Sequence, residues 1–276
     1  MDLQLTGKRV LVTGGTRGIG RAIVGAFLDE GAVVGFCARD SGEVVATNDE
    51  LRSRGDVMGS VVDVGDGAAL AAWVERSAEA FGGLDVVVAN VSALAVPDTE
   101  ENWQASMNVD VMHTVRLVRA AMPHLERSDA ASIIAISSVS GRESDFASGP
   151  YGTAKTAIVG YIHGLAMQLA DKNIRANTVS PGNTYFEGGF WQSVEAGNPA
   201  LFETCGEPEP DRPHGHSGGD RSTSGLPRQS RSQPGERRQS RRRRRADTRR
   251  AALTLYEPKC ATRLPSLDSE KRLGPS

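Results

Sequence analysis

The strongest constraint on the fold of this 276-residue chain is an alternation of two kinds of segment. Short runs rich in β-branched residues (KRVLVTG, AVVGFCA, VMGSVVDV, LDVVVANV, ASIIAISS and IRANTVSP) read as six strands. Between them lie stretches of helical character at 18–30, 41–54, 66–81, 99–127 and 151–171. Each strand is nearly continuous in apolar character, as required when both faces of a sheet are covered. Strands alternating with helices predict an α/β fold, a Rossmann-like, doubly wound parallel sheet in a single domain.

The first βα turn is TGGTRGIG, residues 13–20. Glycines directly after a strand and at the start of a helix let the backbone turn tightly and approach a pyrophosphate. The amide hydrogens of the helix N-terminus then face the anion. The glycine spacing, at 14, 18 and 20, resembles that of the short-chain dehydrogenase/reductase family.

That resemblance implies a nicotinamide cofactor bound along Gly14, Thr16, Arg17, Gly18, Ile19 and Gly20. In the family an acid at the end of the second strand binds the ribose of NAD; here that position is Ala38, followed by Arg39. Guanidiniums at Arg17 and Arg39 suit a 2′-phosphate, because arginine pairs with phosphate through a fork of charge-assisted hydrogen bonds. NADP(H) is therefore the expected cofactor. NAD(H) is the alternative, with Asp40 reaching the ribose and Arg39 facing solvent. Asp63 and Val64 match the family's adenine-contacting pair. Asn90 matches the asparagine of its Asn-Ala-Gly motif, although Val91 and Ser92 replace the other two residues.

YGTAK at 151–155 carries the chemistry. Residues four apart on a helix share a face, so Tyr151 and Lys155 are expected side by side. A phenol with the ordinary pKa near 10 is a poor base at neutral pH, and a neighbouring ammonium favours its phenolate. Such a tyrosine can pass a proton to or from a carbinol oxygen while a hydride moves to or from the nicotinamide. The resemblance adds Ser138, thirteen residues earlier, as the group that holds the substrate oxygen. It adds Asn108 as a helix asparagine that helps hold a water for proton relay to the lysine. Pro181, Gly182 and Thr184 match the loop over the nicotinamide amide, with Phe186 at the position where the family usually carries threonine. YFEGGFW, 185–191, is expected to begin the substrate lid, its aromatics forming either an apolar substrate wall or a plain helix packing face. The implied activity is interconversion of a ketone and a secondary alcohol, including the 3-oxoacyl reductase type, on a small-molecule substrate. The family forms homodimers and homotetramers.

Composition divides the chain. Residues 1–202 hold 15 Lys+Arg against 24 Asp+Glu, whereas residues 203–276 hold 17 against 10. The second part has eight of the 13 prolines and no Val, Ile, Phe, Trp or Met, too little apolar surface to offset chain entropy. Cys37, Cys205 and Cys260 are scattered and odd in number, which points to a reducing compartment. With no cationic apolar leader and no apolar run of membrane length, the expectation is a cytoplasmic protein with no membrane partner. His214 and His216 lack the companions of a metal site, so no metal is expected. His113, His124 and His163 lie in helical stretches, where packed or surface roles are common.

The remaining feature is QSRRRRRAD, 239–247. A basic tail can hold nucleic-acid phosphates, but here it lacks aromatic interleaving apart from Tyr256. Gln239 to Arg245 can be encoded as CAA TCT CGT CGT CGA CGG CGC, which one base later reads NLVVDG, a strand and a turn. Asp211 to Ser222 can likewise be encoded so that the shifted frame reads TGRMGTPEEIAR. These fall where the family places its last helix and seventh strand. The expected organisation is thus an oxidoreductase domain over 1–202 and a basic, out-of-frame tail over 203–276, with the last helix and seventh strand, and the oligomer interface they build, lost. No nucleic-acid partner is expected. The alternatives are a nucleic-acid-binding protein using the arginine-rich tail, and an inactive cofactor-binding remnant. The coding sequence through codon 200 and beyond is expected to show a frame displaced by one base; a displaced frame that reads as disordered as the printed one overturns this.

Overall fold

The computed structural model of the protein describes residues 3–203, so the expectations for the tail, including the missing seventh strand, lie outside the described residues. Six strands form one parallel sheet: β1 (Arg9–Thr13), β2 (Val33–Ala38), β3 (Val57–Val61), β4 (Val86–Ala89), β5 (Ser132–Ile136) and β6 (Arg175–Val179). Their order is β3-β2-β1-β4-β5-β6. The chain moves outward from β1 to β3, then returns to pair β4 on the other side of β1, with Val10 opposite Val86. This reversal opens a crevice beyond the C-terminal ends of the strands, where doubly wound sheets bind ligands.

Side chains alternate across the sheet, and both faces are buried. Leu11, Val87 and Ile133 pack on one side against α3 (Gly67–Phe81), α5 (His113–Leu125) and α6 (Pro150–Gln168), through Trp73, Leu117 and Ile158. Val10, Val12, Phe36 and Val88 face the other way, against α1 (Gly18–Asp29) and α2 (Ser41–Leu51), through Val24, Leu28, Val44 and Leu51. At roughly 1.5–3 kcal/mol for each fully buried large apolar side chain, this two-sided burial explains the unbroken apolar strands.

Polar residues set the helix ends. The Asp66 carboxylate accepts from the amides of Ala68 and Ala69 to start α3, and Gly82, at φ +72°, ends it in the left-handed region. The helix expected over 99–127 runs as α4 (Glu100–Ala105), a π-helical stretch Ser106–Met112, and α5. Period alone does not reveal the π segment, and such bulges concentrate at functional sites. A further helix, α7 (Phe190–Gly197), starts within the aromatic stretch 185–191, which the sequence leaves open between a substrate wall and a helix packing face. Its flanking glycines obscure the helical pattern, and Trp191 is buried.

At the opposite end of the sheet Arg9 clamps β1 to the residue before β4. Its Nε and Nη2 each donate to Asp85 at 2.8 Å, its amide donates at 2.8 Å, and Ser128 Oγ adds a bond of 2.6 Å. Burial alone would raise the Asp85 carboxyl; the donors from Arg9 and Ser128 outweigh it and hold the group well below the usual carboxylate range. Among the described residues no helix is long and apolar enough to cross a membrane.

Candidate active site

A cleft of about 620 Å³ lies at the C-terminal ends of the strands. The turn after β1 forms one wall. Gly14 and Gly18 have φ of +70° and +54°, and a Cβ on Gly20 would stand 1.9 Å from the Gly14 carbonyl oxygen, so only glycine fits there. The Gly14 and Gly15 amides donate to the Cys37 carbonyl at 2.8 and 3.2 Å, tying the loop to β2. The Cys37 side chain is buried, and burial, opposed by the Gly14 amide, pushes its thiol up to about 12, which makes it inert.

Asn90 pins the same loop from β4. Its Nδ2 donates to the carbonyls of Thr13 and Gly14, both at 3.1 Å, and its amide donates to Thr13 Oγ1 at 3.0 Å. Thr13 Oγ1 in turn lies 3.0 Å from His113 Nε2, and His113 Nδ1 lies 3.1 Å from the Val109 carbonyl. A carbonyl can only accept, so the Val109 contact assigns the proton to Nδ1, and the single Thr13 hydroxyl proton is shared between His113 Nε2 and the Val88 carbonyl 3.2 Å away. Burial lowers the His113 pKa to about 4, against smaller raising contributions from Val109 and Asp110.

Near the ends of β2 and β3 Thr16, Arg17, Ile19, Arg39, Asp63 and Val64 all line the cleft. Both nearby acids are engaged within the protein. Asp40 Oδ1 accepts from the Glu43 amide as the cap of α2, and Glu43 Oε2 accepts from the Thr16 hydroxyl, each at 2.8 Å. Arg17 and Arg39 are exposed, and neither guanidinium has a partner among the described residues. Asp63 Oδ1 accepts from the Gly65 amide at 2.9 Å. Gly18 is not on the cleft surface; the Phe186 ring covers it, within 2.5 Å of where its Cβ would lie.

At the other end Tyr151 and Lys155 project from the start of α6. Lys155 is 2% exposed, its Nζ 5.5 Å from the centre of the Tyr151 ring. It donates to the Ile136 carbonyl at 3.2 Å and forms an ion pair at 3.0 Å with Asp110 Oδ1. Asp110 is fully buried, its other oxygen accepting from the Ala93 amide at 3.0 Å. Ser138 follows β5, buried on the cleft wall, and its Oγ accepts from the Ser140 amide at 3.2 Å.

The helix residue facing the lysine is thus Asp110, not the expected Asn108. Asn108 points to the far side of the π segment, where its Oδ1 accepts from Arg116 at 2.8 Å and its Nδ2 donates to the Gly65 carbonyl at 3.3 Å. Asp110 is not marked in the sequence, because the family resemblance points to an asparagine. The available signal is a carboxylate between two valines, Val109 and Val111. Pro181, Gly182 and Thr184 line the cleft, the Thr184 hydroxyl donating to the Gly182 carbonyl at 3.2 Å. Leu94, Val96, Phe146, Phe190 and Trp191 complete an apolar wall. Phe146 lies edge-on to Trp191 at 5.7 Å, and Phe190 edge-on to it at 5.5 Å, so these aromatics both pack together and face the cleft.

Residues 8–193 match the short chain dehydrogenase family. The chain is 41% identical over 209 residues to isoepoxydon dehydrogenase patN of Penicillium expansum, covering 72% of this chain and 79% of that protein. A short chain dehydrogenase from Burkholderia cenocepacia J2315, solved in complex with NADP, superposes with a TM-score of 0.65 at 31% identity, over 70% of this chain and 80% of that one. L-sorbose reductase from Gluconobacter frateurii, complexed with NADPH and L-sorbose, gives 0.67 at 26% identity, over 74% and 81%. The chain belongs to the short chain dehydrogenase family and is a nicotinamide-dependent oxidoreductase. Its own residues fit such a cofactor, with a loop closed to any side chain at position 20 and free guanidiniums at one end of an elongated cleft. Among the described residues no group of three His, Cys, Asp or Glu side chains could hold a metal.

The buried histidine generates a pH dependence. The unfolded chain protonates His113 near 6.5 and the folded protein only near 4, so its contribution is intact above about 6.5 and declines as pH falls through that window. Denaturant titrations are expected to show about 3 kcal/mol of stability lost from this site between pH 7 and 4. His113→Gln should flatten that slope, and an unchanged slope would contradict the assignment.

Proposed function

We propose that the protein is an NADP(H)-dependent oxidoreductase that interconverts neutral, largely apolar ketones and secondary alcohols, with residues 1–202 as its catalytic domain. The observation that carries the proposal is the Lys155 ammonium, buried between Asp110 and the Tyr151 ring and opening onto the cleft. The nicotinamide, when bound, supplies or takes the hydride. Tyr151 passes a proton between its hydroxyl and the substrate oxygen, and Lys155 offsets the phenolate charge that develops. Asp110 holds Lys155 in place. Ser138 donates to the substrate oxygen as negative charge builds there. Beyond Arg17, Arg39 and Lys155 the described cleft lining offers no cation, and its aromatic wall favours uncharged substrates. A 3-oxoacyl substrate falls within this chemistry.

The NADP preference rests on Arg17 and Arg39, which are unpaired while the neighbouring Asp40 and Glu43 are occupied by bonds within the protein. These two guanidiniums would hold the 2′-phosphate. Each charge-assisted hydrogen bond contributes about 1.5–3 kcal/mol. Replacing Arg17 and Arg39 together with alanine should therefore raise the Kd for NADPH at least tenfold and leave that for NADH within about twofold. Equal losses for both would refute the 2′-phosphate role.

Tyr151→Phe removes only the proton carrier. Turnover of secondary alcohols with NADP⁺ should fall by about 10²–10⁴-fold, with cofactor affinity retained. Undiminished turnover would overturn the assignment.

A further inference from the structure

Behind Ser138 lies a chain of polar groups that the proposed chemistry does not use. Ser140 Oγ donates to Asp145 Oδ2 at 2.6 Å, and Ser138 Oγ donates to Ser140 Oγ at 3.3 Å. Ser138 and Ser140 are both buried, and the other oxygen of Asp145 accepts from the Ala147 amide at 2.9 Å. A carboxylate can only accept, and a serine hydroxyl has one proton to give. Asp145 takes the proton of Ser140 in a short, charge-assisted bond. Ser140 Oγ is left facing Ser138 as an acceptor, so the Ser138 proton points toward Ser140 and away from an arriving substrate.

We propose that Asp145 is a positioning residue that acts through Ser140 as a latch on the Ser138 hydroxyl. This rests on the oxidoreductase reading above. A ground-state ketone is a modest acceptor that must compete with Ser140 for the proton. The oxygen of the transition state, carrying developing negative charge, competes far better. The latch thereby shifts the Ser138 hydrogen bond from substrate binding to the reacting state, where it accelerates the reaction. It adds no step and changes no overall equilibrium.

Without the acceptor, Ser138 is free to donate to the ketone from the outset. A neutral hydrogen bond of 0.5–1.5 kcal/mol corresponds to about 2- to 10-fold in affinity. Ser140→Ala and Asp145→Asn should each lower the KM for ketone by that factor without lowering kcat/KM. A purely structural role for the loop before α6 predicts the reverse, a raised KM or a lower kcat/KM. Asp145→Asn retains an acceptor for the Ala147 amide, and Ser140→Ala leaves Asp145 intact, so the two variants perturb the loop differently.

The test uses the full-length chain, NADPH and a panel of neutral cyclic and aryl ketones, with the ketone turned over fastest by the wild type as probe. If Asp145 acts through Ser140, Asp145→Asn should have no further effect on KM in the Ser140→Ala background. Additive effects would overturn the latch, as would a KM that rises or stays unchanged in Ser140→Ala. A second arm needs no substrate. Proton NMR should show a slowly exchanging, downfield hydroxyl resonance that disappears in Ser140→Ala and shifts or disappears in Asp145→Asn. Absence of that resonance, or its persistence in both variants, refutes the latch while leaving the oxidoreductase reading untouched. Absence of turnover across the panel refutes the oxidoreductase reading, and the resonance alone then decides the latch.

Discussion

The ion pair between Lys155 and Asp110 is the interaction on which the site depends. Both groups are withdrawn from water, a cost of several kcal/mol for each ion that only close pairing and further hydrogen bonds can offset. The structure supplies those bonds from separate elements: the Ile136 carbonyl at the end of β5 for the lysine, and the Ala93 amide after β4 for the aspartate. The π-helical stretch Ser106–Met112 carries Asp110 itself. Two strand ends, the π segment and the start of α6 therefore converge on one pair of charges. Tyr151 inherits its electrostatic setting from that convergence.

A second knot holds the cofactor end with less charge. Asn90 binds the glycine loop, Thr13 binds Asn90 and the neutral His113, and His113 binds the π segment through the Val109 carbonyl. Val109 and Asp110 are neighbours, so the glycine loop and Lys155 are joined through adjacent residues of one helical turn. The departure from the family's Asn-Ala-Gly motif at Val91 and Ser92 leaves this knot whole, because Asn90 makes the contacts. Backbone carbonyls and amides supply much of the network, which limits how far sequence alone can locate it.

The fold was legible because its physics is local. Apolar runs such as VVVA report a strand covered on both faces, and glycine at positions 14 and 20 reports a turn with no room for Cβ. The Tyr151–Lys155 pair was legible for the same reason, since a spacing of four on a helix is a geometric statement. What escaped was tertiary. Asp110 and Asn108 lie two residues apart, and only the widened π segment decides which faces Lys155. The link from Ser138 to Asp145 crosses a 3₁₀ turn and an irregular loop that carry no period. Helix α7 was only half legible, its glycine-flanked aromatics open between wall and helix, with Trp191 held by tertiary packing.

The strand order has a consequence for how the chain is assembled. β2 and β3 can join β1 as soon as residues through Val61 exist, because each pairing spans only a short loop and one helix. The other edge of β1 waits for Val86, and Asp110 waits longer still for α6 to bring Lys155. Such long-range parallel pairings fold slowly and leave an open edge while they wait. During synthesis the half of the sheet formed by β1, β2 and β3 is therefore complete well before the half formed by β4, β5 and β6, and the central strand stays exposed to mispairing in the interval.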